Sequence, residues 1–175
     1  METPLAGKED WEPIPVPKSI GLGRSFVSGD PDGDGLRLRY FRRKSDGAFM
    51  ARVWFGPNAE GPPLCAHGGS MAAMLDEAMG SAAWIAGHTV VAARLTLEFK
   101  EMLPLGREVT VEAWVESVHG RKVATEGRIV SDDGTVHAIG EGLFIQVNLE
   151  RFADLGDLAQ KKWGAMSEKK SLGAE

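Results

Sequence analysis

The sequence predicts an α+β domain in which an antiparallel sheet wraps around a single long helix. Two observations carry this reading. Several segments alternate apolar and polar residues and are joined by short turn signals, the pattern of hairpins. Only one stretch, about Gly68 to Ala86, has helical spacing, and it is apolar over most of its circumference, so more than one side of it must be covered.

With 175 residues and 43% hydrophobic content, the chain can build one core, whereas two would each be marginal. The domain is expected over 36–150, with 1–35 as an irregular N-terminal arm and 151–175 as a tail. The arm is dense in proline and contains Gly29-Asp30-Pro31-Asp32-Gly33-Asp34-Gly35, a turn-rich run with little to pack. Such an arm can cover a sheet edge or a pocket. Asp30, Asp32 and Asp34 imitate the opening of a calcium loop, but the glutamate that should close it and the flanking helices are missing, so the segment reads as a turn.

Leu36 to Phe41 and Phe49 to Phe55 are rich in aromatic and branched residues, with Ser45-Asp46-Gly47 as the turn between them. Prolines and glycines over Gly56 to Pro63 then end the sheet before the helix. After the helix, Val91, Ala93, Leu95, Leu97 and Phe99 share one face of a half-buried strand. Val109 to Val115 repeat the pattern, and His119-Gly120 turns the chain into Lys122 to Val130. Asp132-Asp133-Gly134 leads to a last strand from Thr135 to Val147. The tail from Phe152 opens as a short amphipathic segment and ends rich in Lys and Glu, with little to bury.

Charge and composition narrow the function. A net charge of −5 argues against nucleic acid as a partner, since phosphate neutralisation needs clustered Lys and Arg. The run from Met71 to Ile85 is interrupted by Asp76 and Glu77, so no membrane span is expected. A single cysteine, Cys65, and an N-terminus without an apolar run favour the cytoplasm. His67, His88, His119 and His137 lack partners at ligand spacing, so neither a metal nor another cofactor is expected.

On a helical projection Met71, Met74, Leu75, Ala78, Ala82 and Ile85 form the stripe that packs on the sheet, and Asp76 lies almost opposite. Its face carries Gly69, Ala72, Ala73, Gly80 and Ala83, residues small enough to admit a backbone or a thin ligand. A solvent face would normally hold Lys, Glu, Gln and Arg. Glu77, next in sequence, argues the other way. At the helix start the amides of Gly68 and Gly69 lack intrahelical partners and sit at the positive end of the macrodipole, where they can stabilise an oxyanion. His67 can orient groups at the mouth.

The run HGGSMAAMLDEAMG, His67 to Gly80, with VVAARLTLEFKEMLPLG, HGRKV and EGLFI after it, resembles the hotdog-fold acyl-CoA thioesterases in motif, order and spacing over about Leu36 to Val147. The resemblance implies a sheet curled round the helix, and a homodimer or dimer of dimers in which one helix start meets the other subunit's carboxylate. It also implies hydrolysis of acyl-CoA or acyl-carrier-protein thioesters. Gly68 N–H would polarise the carbonyl, Asp76 would act as general base or nucleophile, and His67 and Gly69 would help to place the substrate. Gly120-Arg121-Lys122 would lie near coenzyme A phosphates. The family often has a threonine where this chain has Ala92, and a basic residue and proline where it reads Lys100-Glu101-Met102. Two alternatives stay open on these residues: a non-catalytic acyl-thioester binding protein, and a Cys65-His67 nucleophilic pair.

Overall fold

The computed structural model describes residues 5–15 and 25–148. The 151–175 tail and parts of the N-terminal arm lie outside the described residues. The elements are β1 (Trp11–Ile14), β2 (Leu36–Arg43), β3 (Phe49–Phe55), a short 3-10 turn at Pro57–Ala59, α1 (Gly68–Ile85), β4 (Val90–Phe99), β5 (Glu108–His119), β6 (Lys122–Val130) and β7 (Val136–Gln146). The strands form one seven-stranded sheet in the order β1-β2-β3-β5-β6-β7-β4, and every neighbouring pair is antiparallel. The sheet curls round α1, which touches β3, β4, β5, β6 and β7. This is the hotdog architecture.

The predicted turns are made by the residues that turn chemistry demands. Gly47, Gly120 and Gly134 all have positive φ, which a residue with a Cβ rarely adopts. Asp46 ties its hairpin by accepting from the Ala48 amide at 3.0 Å and by pairing with Arg43 at 2.7 Å. The helix is swallowed more deeply than a single stripe implies. Met79 and Ala83 are as fully buried as Met74, Leu75 and Ala78, because the curled sheet reaches round to the flank where a one-sided projection leaves Ala83 open.

Two other expectations change. Within the 1–35 arm, Trp11–Ile14 is a true edge strand, in register with Tyr40 to Arg43. Trp11 is buried with Phe41, Ala48 and Met50 in a small second core, its ring centroid 5.6 Å from that of Phe41. That cluster, rather than local propensity, makes four residues containing a proline into a strand. The second change is in β4. A bulge between Ala92 and Arg94 breaks its alternation, and the strand stands open, with only Val90 buried and Phe99 52% exposed.

Charged groups brace the sheet's β2-β3-β5 side. Glu112, buried, bonds Arg43 at 2.9 Å and also pairs with Arg128, while buried Arg52 meets Asp132 at 2.8 Å and Glu108 at 3.1 Å. The two guanidiniums give the buried Glu112 carboxylate charge-assisted bonds in place of the water contacts it loses.

Candidate active site

His67 is the N-cap of α1, in extended conformation. Its Nδ1 accepts a hydrogen bond from the Gly69 amide at 2.8 Å, and its carbonyl accepts from Ser70 and Met71. Because Nδ1 is an acceptor, a neutral ring carries its proton on Nε2. The cap satisfies Gly69 and leaves the Gly68 N–H with no acceptor among the described residues. One amide at the positive end of an 18-residue helix is thus available to an oxygen that becomes negative. Phe99 lies over it: a Cβ on Gly68 would come within 3.3 Å of the Phe99 ring.

Asp76 sits half-buried at mid-helix. Burial alone raises its pKa above the ordinary aspartate value, because desolvation disfavours the charged form. No described residue donates a hydrogen bond to its carboxylate or pairs with it. It borders a cavity of about 370 Å³ whose walls include Ile14, Phe49, Trp84, Val90 and Phe144. Ala92 lines the same cavity, so the small side chain at the end of β4's regular register faces the carboxylate's own space.

Three polar residues that sequence reasoning did not select also reach this cavity: Tyr40, Glu77 and Ser81. The Tyr40 hydroxyl donates to Glu77 Oε1 at 3.0 Å. Burial first, and then the Glu77 charge, holds the phenol well above its usual pKa. Glu77, read from sequence as a mark of solvent exposure, is therefore anchored to β2. Its partner lies 37 residues away, and no local pattern could reveal it. The available signal was that Tyr40 is the only tyrosine of the chain.

The other expected site residues do not converge in one chain. Gly68 and Asp76 are eight positions apart in one helix, about 12 Å at 1.5 Å per residue. A reacting carbon must lie about 3 Å from both the attacking group and the oxyanion donor. Gly120-Arg121-Lys122 turns at the far end of the sheet, where Arg121 bonds Gln146 O at 3.2 Å and Gln146 pairs with Val90, the first residue of β4. Gly68, next to His67, lies by Phe99, the last residue of that strand. Cys65 and His67 form no hydrogen bond with each other among the described residues, and His67 Nδ1 is committed to Gly69.

The hotdog sheet thus holds, on one helix, a capped start with an available amide and a half-buried carboxylate unpaired among the described residues. The thioesterase superfamily model matches residues 65–138, which include every residue from Cys65 through His137. The chain is 37% identical over 119 residues to acyl-coenzyme A thioesterase THEM4 of Xenopus laevis, covering 67% of this chain and 54% of that protein. It is 32% identical over 151 residues to acyl-coenzyme A thioesterase THEM5 of Mus musculus, covering 86% of this chain and 56% of that one. The chain thus spans about half the length of these curated relatives. A solved thioesterase superfamily protein superposes with a TM-score of 0.63 at 30% identity, covering 69% of this chain and 59% of that one. The chain belongs to the hotdog-fold thioesterase superfamily.

Proposed function

We propose that this protein hydrolyses acyl thioesters of coenzyme A at a site completed by two copies of the chain. Asp76 carries the reading. A half-buried carboxylate without a hydrogen-bond donor is costly to keep, and beside an apolar cavity it is suited to taking a proton from water. The names of the matched relatives support acyl-CoA as the substrate.

The offset of about 12 Å along α1 supports a reacting centre that takes Gly68 from one copy and Asp76 from another. The open edge of β4 supplies the geometry. Across a two-fold axis two such edges run antiparallel, so the Val90 end of one strand meets the Phe99 end of the other. That brings the Gly120-Arg121-Lys122 turn of one copy to the His67 side of its neighbour, where Arg121 and Lys122 can meet phosphates.

In the reaction, Asp76 takes a proton from water as the oxygen attacks the thioester carbonyl. The tetrahedral oxyanion is stabilised by the Gly68 N–H, with His67 Nε2 beside it, and collapse breaks the C–S bond. The leaving thiolate takes up the proton held by Asp76, which regenerates the base, and the products are acid and thiol. Ala92 offers no hydroxyl to this site, so water is held by Asp76 and the cavity's other polar groups. The cytoplasm suits a chain with one free thiol, Cys65.

Asp76→Asn tests the reading. The expected result is a fall in kcat of about a thousandfold, within the span of general-base contributions, with the oligomer intact. Wild-type kcat/KM should fall towards acid through a pKa above that of ordinary aspartate. Equal, slow turnover by wild type and Asp76→Asn would instead mark a protein that binds acyl thioesters without catalysing their cleavage.

A further inference from the structure

Leu64 stands at the third position of a four-residue turn, Pro62-Pro63-Leu64-Cys65, closed by a 2.9 Å bond from the Cys65 amide to the Pro62 carbonyl. Its φ is +62°, and it has the only positive φ outside glycine among the described residues. With proline fixing the second position, this is a type II turn, whose third position calls for glycine or asparagine. A branched side chain there is strained. The backbone is nonetheless fixed: the Leu64 amide donates to Glu60 Oε1 at 2.8 Å, and its carbonyl accepts from the Leu105 amide at 2.9 Å.

The side chain gains little inside the chain in return, since Leu64 is 77% exposed. Met102, in the adjoining loop, is 71% exposed, and Phe99, over Gly68, is 52% exposed. The turn is also continuous with the site. Glu60 and Ala66 bridge the two arms of its hairpin, and Gly61 lies so close to His67 that a Cβ on it would come within 2.7 Å of the His67 Cα. A strained apolar residue, held rigidly and left open at the rim of a site, has its favourable contact with something that arrives there.

We propose that Leu64, with Met102, forms an apolar lip that binds the thiol-side arm of the substrate, the chain that carries the thioester sulfur towards the Gly68 amide. This rests on the thioesterase reading above. The largely apolar cavity beside Asp76 suits the acyl group, whereas Leu64 stands on the exposed surface at the helix start, on the side from which the other arm of a thioester leaves.

The test compares Leu64→Gly and Leu64→Asn, which relax the turn and remove the apolar group, with Leu64→Met, which keeps both the strain and the apolar surface. Affinity for coenzyme A itself is measured by calorimetry on the full chain, beside the melting temperature and the solution mass. Leu64→Gly and Leu64→Asn should melt no lower than wild type and bind coenzyme A about fivefold more weakly, the loss of part of a leucine's burial. Leu64→Met should bind as wild type does. Unchanged affinity in the glycine and asparagine variants overturns the proposal, as does dissociation of the oligomer, which would give the lip to a second copy. Because coenzyme A binding needs no hydrolysis, this result is independent of whether Asp76→Asn abolishes turnover.

Discussion

The two ends of the sheet are built for opposite purposes. At one end β1 is a four-residue strand with Pro13 in it, and its Trp11 closes a small core against Phe41 and Met50. A short edge that contains proline, which has no amide hydrogen to offer, is a poor template for another strand. At the other end β4 runs for ten residues, Val90–Phe99, without a proline, and among the described residues it is bonded to β7 alone. Val91 and Phe99 are 40% and 52% exposed there. A long apolar edge of this kind invites pairing with another strand. In the proposed assembly the second copy therefore docks on β4, the side where Ala92 and Val91 border the Asp76 cavity.

The largest expected effect comes from closing the open edge. Ala93 sits at the β4 bulge, exposed, so Ala93→Lys leaves the single-chain fold intact and places a charge where the second copy docks. Solution mass should drop to that of one chain, and thioester hydrolysis should fall by two orders of magnitude or more, in line with removing an oxyanion donor or a base. An active monomer would break the comparison.

The closed edge should behave in the reverse way. Trp11→Ala empties the small core and should cost about 3 kcal/mol of stability, near the low end for large aromatic deletions, as measured by denaturant unfolding. The oligomer should persist and kcat should change little, since Trp11 faces away from the Asp76 cavity.

The smallest effect is one of pH. Burial raises the Asp76 pKa, so the folded protein binds that proton more tightly than the unfolded chain does. This stabilisation is complete below the pKa of unfolded aspartate and is lost as pH rises through the higher folded value. Asp76→Asn, inactive, should therefore melt above wild type at neutral pH, and the two should converge in acid. Equal melting temperatures at both pH values would show that the carboxylate is not held against its solvation.

The same contrast explains what could be read in advance. The hairpin turns at Asp46-Gly47 and Asp133-Gly134 were legible because their requirement for positive φ is local and is met by named residues. The helix was legible from its helical spacing, and the small residues around Asp76 marked that face as unlike a solvent face, whereas the His67 cap was not foreseen. The β1 strand was not, since its warrant is the burial of Trp11 on Phe41, a contact across the fold. The β4 bulge hid because strict alternation in sequence continues through Ala93, while the register shifts there. The bond from Tyr40 to Glu77 hid for the same reason as β1, and it turned an apparent solvent residue into part of the cavity wall.

The central claim is that one reacting centre draws Gly68 and Asp76 from different copies, and mixing two inactive variants tests it most directly. Gly68→Pro removes the amide while suiting the first helical position, and the extended ψ of 136° at His67 accepts a following proline. Asp76→Asn removes the carboxylate. Each alone should be inactive. After co-expression at equal levels, half of the dimers pair one variant with the other, and each of these has one intact centre out of two. The mixture should regain about one quarter of wild-type activity, the share expected for a two-fold assembly. A mixture as inactive as its components would place both groups in one chain and contradict the account.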